Sequence, residues 1–172
     1  MQNLLWVDIE TTGLDENDGV ILEIAAAITD SKLKIKSFFH KLVKQPESFK
    51  ITTFAAYIHA QNELISEILH RATYTIEEVD AAFYIWLNKH NAKGLYLAGS
   101  NPSFDRRWLN VHMPKSATIP HYRHFDMNTI YAYLDKNKNE IETHRAQADI
   151  ERDISKLKEF RRMLEQKYIG EE

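Results

Sequence analysis

The stretch LLWVDIETTGLD, residues 4–15, reads as a buried β-strand that carries two carboxylates. Leu4, Leu5, Trp6, Val7 and Ile9 are apolar on both registers, and Asp8 and Glu10 interrupt them. Residues two apart in a strand point to the same face, so the two acids project together. Stripping water from a carboxylate costs several kcal/mol even after relaxation, and each charge makes its neighbour harder to ionise. Such a strand turns its acidic face to water, shares a proton between the acids, or meets a cation. Apolar neighbours on both registers count against the wet face.

Two more acids extend the pattern. Asp105 follows LYLAGSNPSF, at the start of a helix that leaves a short buried strand; Asp149 closes HRAQAD, early in the last helix. Either one alone is explained by the helix dipole, which favours acids in a first turn. His144 stands five residues before Asp149. On one continuous helix that spacing separates their faces, so the pair serves a common centre only if His144 lies on the loop or first turn.

A chain of 172 residues is expected to form one domain, residues 1–172, with a substantial core. The absence of cysteine rules out disulfides, thiolate metal sites and a cysteine nucleophile. A net charge of −3 lacks the basic surplus of a protein that grips long nucleic acid. A nucleic-acid substrate would then be short, or held with the help of metal ions. The opening MQNLLWVDIE has no basic n-region, and its apolar run is too short for a signal peptide or membrane span. A cytoplasmic protein without membrane contact is the expectation.

Periodicity and punctuation predict three antiparallel strands at the start, over Leu4 to Glu10, Val20 to Thr29 and Leu33 to Val43, joined by loops rich in Gly, Asp, Asn and Ser. Pro46 opens a helical region with short helices over Thr52 to Gln61 and Asn62 to Arg71, the second capped by Asn62. Thr75 to Asn91 is a longer helix with a capping box, Thr75 and Glu78, and an apolar face of Val79, Ala82, Phe83, Trp86 and Leu87. The short strand LYLAGS leads to a helix over Ser103 to Asn110, and Met113 to Pro120 reads as a loop between prolines. A brief strand over His121 to Phe125, a helix over Asp126 to Leu134, the polar linker DKNKNE and a long helix over Arg145 to Tyr168 complete the chain. Arg106 and Arg107 are candidates for phosphate contacts, at least one of them for a structural salt bridge.

DIETTGL, SNPSFD and HRAQAD, in this order, resemble the three motifs of the DEDDh branch of the DnaQ-like 3′–5′ exonucleases, and most of all those of the oligoribonuclease family. The resemblance spans nearly the whole chain. It implies an α/β, RNase H-like exonuclease fold: a mixed five-stranded central sheet, its three N-terminal strands antiparallel, flanked by helices. It also implies a metal-dependent exoribonuclease that cuts short single-stranded RNA or DNA, dinucleotides above all, from the 3′ end into nucleoside 5′-monophosphates. Asp8, Glu10, Asp105, His144 and Asp149 match the five signature positions. Four carboxylates without a softer ligand suit hard divalent cations, Mg²⁺ or Mn²⁺, and two of them about 4 Å apart suit in-line phosphodiester cleavage. By the same resemblance Asp8 bridges both ions, Glu10 and Asp149 complete the nucleophile side, and Asp105 serves the other ion. His144 is the general base; histidine as a residue type exchanges protons around neutral pH.

The resemblance further assigns substrate contacts. Leu14 matches a wedge between the last two bases, His59 a position lining the 3′-end pocket, and Arg123 a holder of the 5′ phosphate. Tyr122 matches an aromatic supplied by the partner subunit, which implies a homodimer. Three positions depart from the family pattern: Phe54 stands where a tryptophan is usual, and Asn101 and Asn128 stand for serines at the 5′ phosphate. Phenylalanine still stacks on a base and asparagine still donates to a phosphate through a longer arm. The alternative these departures leave open is a DnaQ-like 3′–5′ exonuclease on longer single-stranded DNA or RNA.

Overall fold

The structure is a computed structural model that describes residues 2–46, 48–134 and 143–169. The linker expected over residues 135–140 lies outside the described residues. One five-stranded mixed sheet organises the fold, with spatial order β3-β2-β1-β4-β5. β1 (Leu4–Thr11), β2 (Ile21–Thr29) and β3 (Ile35–Leu42) form an antiparallel meander; β4 (Tyr96–Gly99) and β5 (His124–Asp126) add in parallel to β1. The mixed sheet with its antiparallel N-terminal strands is the one expected from the sequence.

Period-two alternation sends the two sides of β1 into different cores. Leu5, Val7 and Ile9 pack with Phe83 and Leu87 of α3 (Ile76–Lys89) and with Trp108 and Leu109 of α4 (Pro102–His112). Leu4 and Trp6 face the other way, onto Met127 of α6 (Met127–Tyr133) and Ile150, Ile154, Leu157 and Phe160 of α7 (Ala146–Ile169). Asp8 and Glu10 continue the side of Leu4 and Trp6, beneath α7. β2 is buried throughout, so its small Ala25, Ala26 and Ala27 let helices approach both faces.

The carboxyl ends of the three mutually parallel strands, β1, β4 and β5, share one edge, where open α/β sheets hold their ligands. Gly99 ends β4 there; a Cβ at this position would sit 3.1 Å from the Val7 carbonyl oxygen. The missing side chain lets β4 ride close on β1, and α4 starts three residues on with Asp105 in its first turn.

Local details differ from the expectations. Residues 113–120 are not all loop, because Pro114–Ala117 forms a short helix, α5. The cause is distant in sequence: Asp80 of α3 accepts the backbone N–H groups of Lys115 and Ser116 and, at 2.6 Å, the Ser116 hydroxyl. β5 starts at His124 rather than His121, since the His121 N–H is spent on the Leu95 carbonyl. Asn62 is the C-cap of α1 (Thr53–Gln61) and Glu63, with φ 62°, is the N-cap of α2 (Leu64–Arg71). Asn62 nevertheless takes the Leu64 N–H on its side-chain oxygen. The capping box of α3 is present, Thr75 and Glu78 accepting each other's backbone N–H.

Candidate active site

A cavity of about 700 Å³ opens at the carboxyl edge of β1 and β4. β1 supplies Asp8 and Glu10, α4 supplies Asp105 from its first turn, and α7 supplies Asp149 from its own. One carboxylate oxygen each from Asp8, Glu10 and Asp149 lie within 4.8 Å of one another. Asp105 is buried on the same wall. The strand period and the helix starts bring these side chains together from both ends of the chain.

Crowding of like charges in a dry site shows in their proton affinities. Burial, then the charges of Asp105, Glu10 and Asp149, holds the Asp8 carboxyl well above the usual carboxylate range, although part of its surface opens to the cavity. Burial and then Asp149 push Glu10 up to about 8; Arg145 pulls the other way. Burial pushes Asp105 to about 8 against the backbone N–H groups of Asp105 and Ile9. A hard divalent cation among Asp8, Glu10 and Asp149 would relieve this repulsion, and the oxygen-only donor set fits such an ion.

His144 lines the cavity from the loop just before α7, with a left-handed φ of 50°. Off the helix, it shares the site with Asp149 as the spacing requires. The loop is pinned from behind. Asn62 Nδ2 donates to the His144 carbonyl at 2.6 Å and to that of Thr143 at 3.2 Å. Arg145 ties the same turn to Glu23 of β2, Glu67 of α2 and the Asn62 carbonyl. Glu23 is fully buried beside Glu10, its register partner in β2. Burial works to raise its pKa, but His40, Arg145 and the Ala146 N–H hold it below the ordinary range.

His59 sits on the opposite wall. Its Nε2 lies 3.0 Å from the Thr11 carbonyl and donates to it, which leaves Nδ1 as a buried acceptor without a partner among the described residues. Burial lowers its pKa, keeping the ring neutral. Leu14 and Phe54 line the mouth as large exposed apolar groups, at 76 and 67 % exposure. Asn101 and Asn128 line the far side, joined through Asp126, which accepts both their backbone N–H groups. Tyr122 and Arg123 lie outside the cavity of their own chain; Tyr122 is 74 % exposed, with the Arg123 guanidinium 5.4 Å from its ring centre.

Further charges outside the three motifs shape the site. Arg152 lines the cavity and bridges Asp149 to the buried Asp153. Asp153 was readable as an acid four residues after Asp149, on the side of α7 that carries Ile150 and Ile154. Glu23 was readable by the criterion applied to Asp8, an acid inside the apolar run ILEIAAAI. Arg107 pairs with Glu16 at 3.2 Å, the structural salt bridge expected of one arginine, and Arg106 donates to the carbonyls of Ala117 and His121.

The sequence profile of the Exonuclease family matches residues 5–157. The chain is 34% identical to the oligoribonuclease of Vibrio parahaemolyticus over 95% of its own length and 96% of that protein's. It is 29% identical to the mitochondrial oligoribonuclease of Homo sapiens, over 99% of this chain and 76% of the human one. Among solved structures, E. coli exonuclease I in its zinc-bound complex with single-stranded DNA superposes with a TM-score of 0.66 at 17% identity. That likeness is one of fold: it covers 92% of this chain, which spans 40% of the exonuclease I chain. With the motifs, the fold and these relatives in agreement, the chain belongs to the exonuclease family, on its oligoribonuclease branch.

Proposed function

We propose that this chain is a 3′–5′ exoribonuclease that hydrolyses short oligonucleotides, dinucleotides above all, to nucleoside 5′-monophosphates. The observation that carries the reading is the approach of Asp8, Glu10 and Asp149 to within 4.8 Å inside a cavity that also holds Asp105 and His144. Asp8, Glu10, Asp105 and Asp149 would hold two divalent cations, Mg²⁺ or Mn²⁺. When bound, the cations supply Lewis-acid stabilisation of the charge that builds on the phosphate oxygens.

The chain's own residues do the rest. His144 accepts the proton of the attacking water as its oxygen adds to phosphorus and the P–O3′ bond breaks, the departing O3′ taking a proton from solvent to leave a 3′-hydroxyl on the shortened chain. His59 Nδ1 accepts from a hydroxyl of the 3′-terminal sugar. Leu14 inserts between the two bases, and Phe54 stacks on one of them. Asn101 and Asn128 donate to the 5′ phosphate. A concave site of this volume is typical of a small-ligand site, and the net charge of −3 lacks the basic surplus that gripping a long strand requires.

Tyr122, outside the cavity of its own chain, serves the site of a second copy, so the active form is a homodimer, and Arg123 beside it holds the 5′ phosphate. The whole of residues 1–172 acts as one exonuclease domain. No helix among the described residues is long and apolar enough to cross a membrane. We assign the protein to the cytoplasm, where short RNA fragments are available as substrate.

The asparagines at the serine positions favour one second reading, a DnaQ-like 3′–5′ exonuclease on longer single-stranded DNA or RNA. Rates on a 5′-labelled dinucleotide and a long oligomer, each as RNA and DNA, separate the two. A strong preference for the dinucleotide supports the first, and equal rates on both lengths reject it.

A further inference from the structure

Arg152 stands one turn along α7 from Asp149 and points into the same cavity. Its Nη1 donates to Asp149 Oδ1 at 2.6 Å, while Nη2 and Nε donate to Asp153 Oδ1 at 3.2 and 3.3 Å. The Thr143 hydroxyl donates to the same Asp149 oxygen at 3.1 Å. A carboxylate oxygen offers about two lone-pair sites, so Asp149 Oδ1 is fully engaged. A cation approaching Asp149 either takes that oxygen from Arg152 or meets the guanidinium's positive charge at close range.

We propose that Arg152 is a resident counter-ion of the acidic site: it neutralises Asp149 while no cation is bound, competes with divalent cations for that carboxylate, and falls back on Asp153 when one arrives. The inference rests on the metal-site reading above. Asp153 gives the device its second position. It is buried at 3 % exposure and already holds two of the guanidinium nitrogens, so Arg152 can release Asp149 without becoming an unpaired buried charge. Rotation of one side chain on a rigid helix is sufficient.

The test is Mn²⁺ binding to the full chain without substrate, followed by calorimetry or electron paramagnetic resonance, with melting curves in chelator and in saturating Mn²⁺. Arg152→Gln is expected to bind Mn²⁺ at least about tenfold more tightly than the parent protein. It is also expected to melt lower in chelator and to narrow that gap when Mn²⁺ saturates, because only the ion-free state pairs Arg152 with Asp149. Arg107→Gln removes the same charge from a residue paired with Glu16 instead, and is expected to leave Mn²⁺ affinity within about twofold. Unchanged or weaker Mn²⁺ binding by Arg152→Gln, equal tightening by Arg107→Gln, or a melting gap as wide at saturation as in chelator overturns the proposal. Should Arg152→Gln not fold, Arg152→Lys keeps a charge without the guanidinium fork; intermediate tightening supports the proposal and none overturns it. No Mn²⁺ binding by the parent protein would overturn the metal-site reading itself.

Discussion

Asn62 and His144, far apart in the chain, meet where the Asn62 side-chain amide donates to the His144 carbonyl at 2.6 Å. The same amide reaches the Thr143 carbonyl, and the Asn62 oxygen accepts the Leu64 N–H. One side chain thus joins the α1–α2 turn to the loop that carries the candidate base. Asn62→Ala is expected to lower kcat by roughly 10- to 100-fold, the scale of a small misplacement of a reacting group. KM should change little, because Asn62 does not line the cavity. Steady-state kinetics on a dinucleotide check the split.

Arg145 and Glu23 hold the same loop from the sheet side. Arg145→Met leaves Glu23 buried with a weakened set of partners, and breaking a buried pair from one side costs about 3–5 kcal/mol. Urea unfolding is expected to show a loss near the low end of that range, since His40 and the Ala146 N–H still donate to Glu23. Glu23→Gln together with Arg145→Met should recover part of it.

Stability of the metal-free protein should fall as pH rises. Asp8, Glu10 and Asp105 have folded-state pKa values raised above those of the unfolded chain, to about 8 for Glu10 and Asp105. They therefore hold protons in the folded state that the unfolded chain has already released. Their stabilising contribution is complete below the ordinary carboxylate range and is lost as pH climbs through about 8. His59 works oppositely: its lowered pKa contributes stability above the ordinary histidine value that is lost as pH falls. Melting temperatures in chelator should decline from mildly acidic pH up through about 8, and Mg²⁺ or Mn²⁺ should reverse the decline.

Phe54 is exposed and caps no core, so Phe54→Ala should change unfolding free energy by no more than about 0.5 kcal/mol. Loss of a base-stacking ring is worth about 1–3 kcal/mol, so KM on short substrate should rise roughly 5- to 100-fold. Phe54→Trp is expected to match or exceed the parent affinity. Parallel melting and kinetic measurements decide whether the residue serves substrate or fold.

Much of this molecule is legible in local chemistry. Alternation along β1 separates Leu5, Val7 and Ile9 from Leu4, Trp6, Asp8 and Glu10, and the structure buries the two apolar sets in different cores. The α3 capping box is visible because its two members are three residues apart. What escapes local reading is made by distant partners. Asp80 folds α5 from across the molecule, and the role of Asn62 is visible only once His144 is beside it. Arg152 looks like one more charge on a solvated helix until Asp149 and Asp153 are seen to be buried on either side of it.

β1 is the first element of the chain and α7 the last described, and the acidic quartet needs both. During synthesis the first strands leave the ribosome carrying acids that nothing yet opposes, and the cage closes only when the final helix folds back across them. A chain that lacks α7 carries Asp8, Glu10 and Asp105 without Asp149, so the acid cluster is assembled in one step when that helix docks.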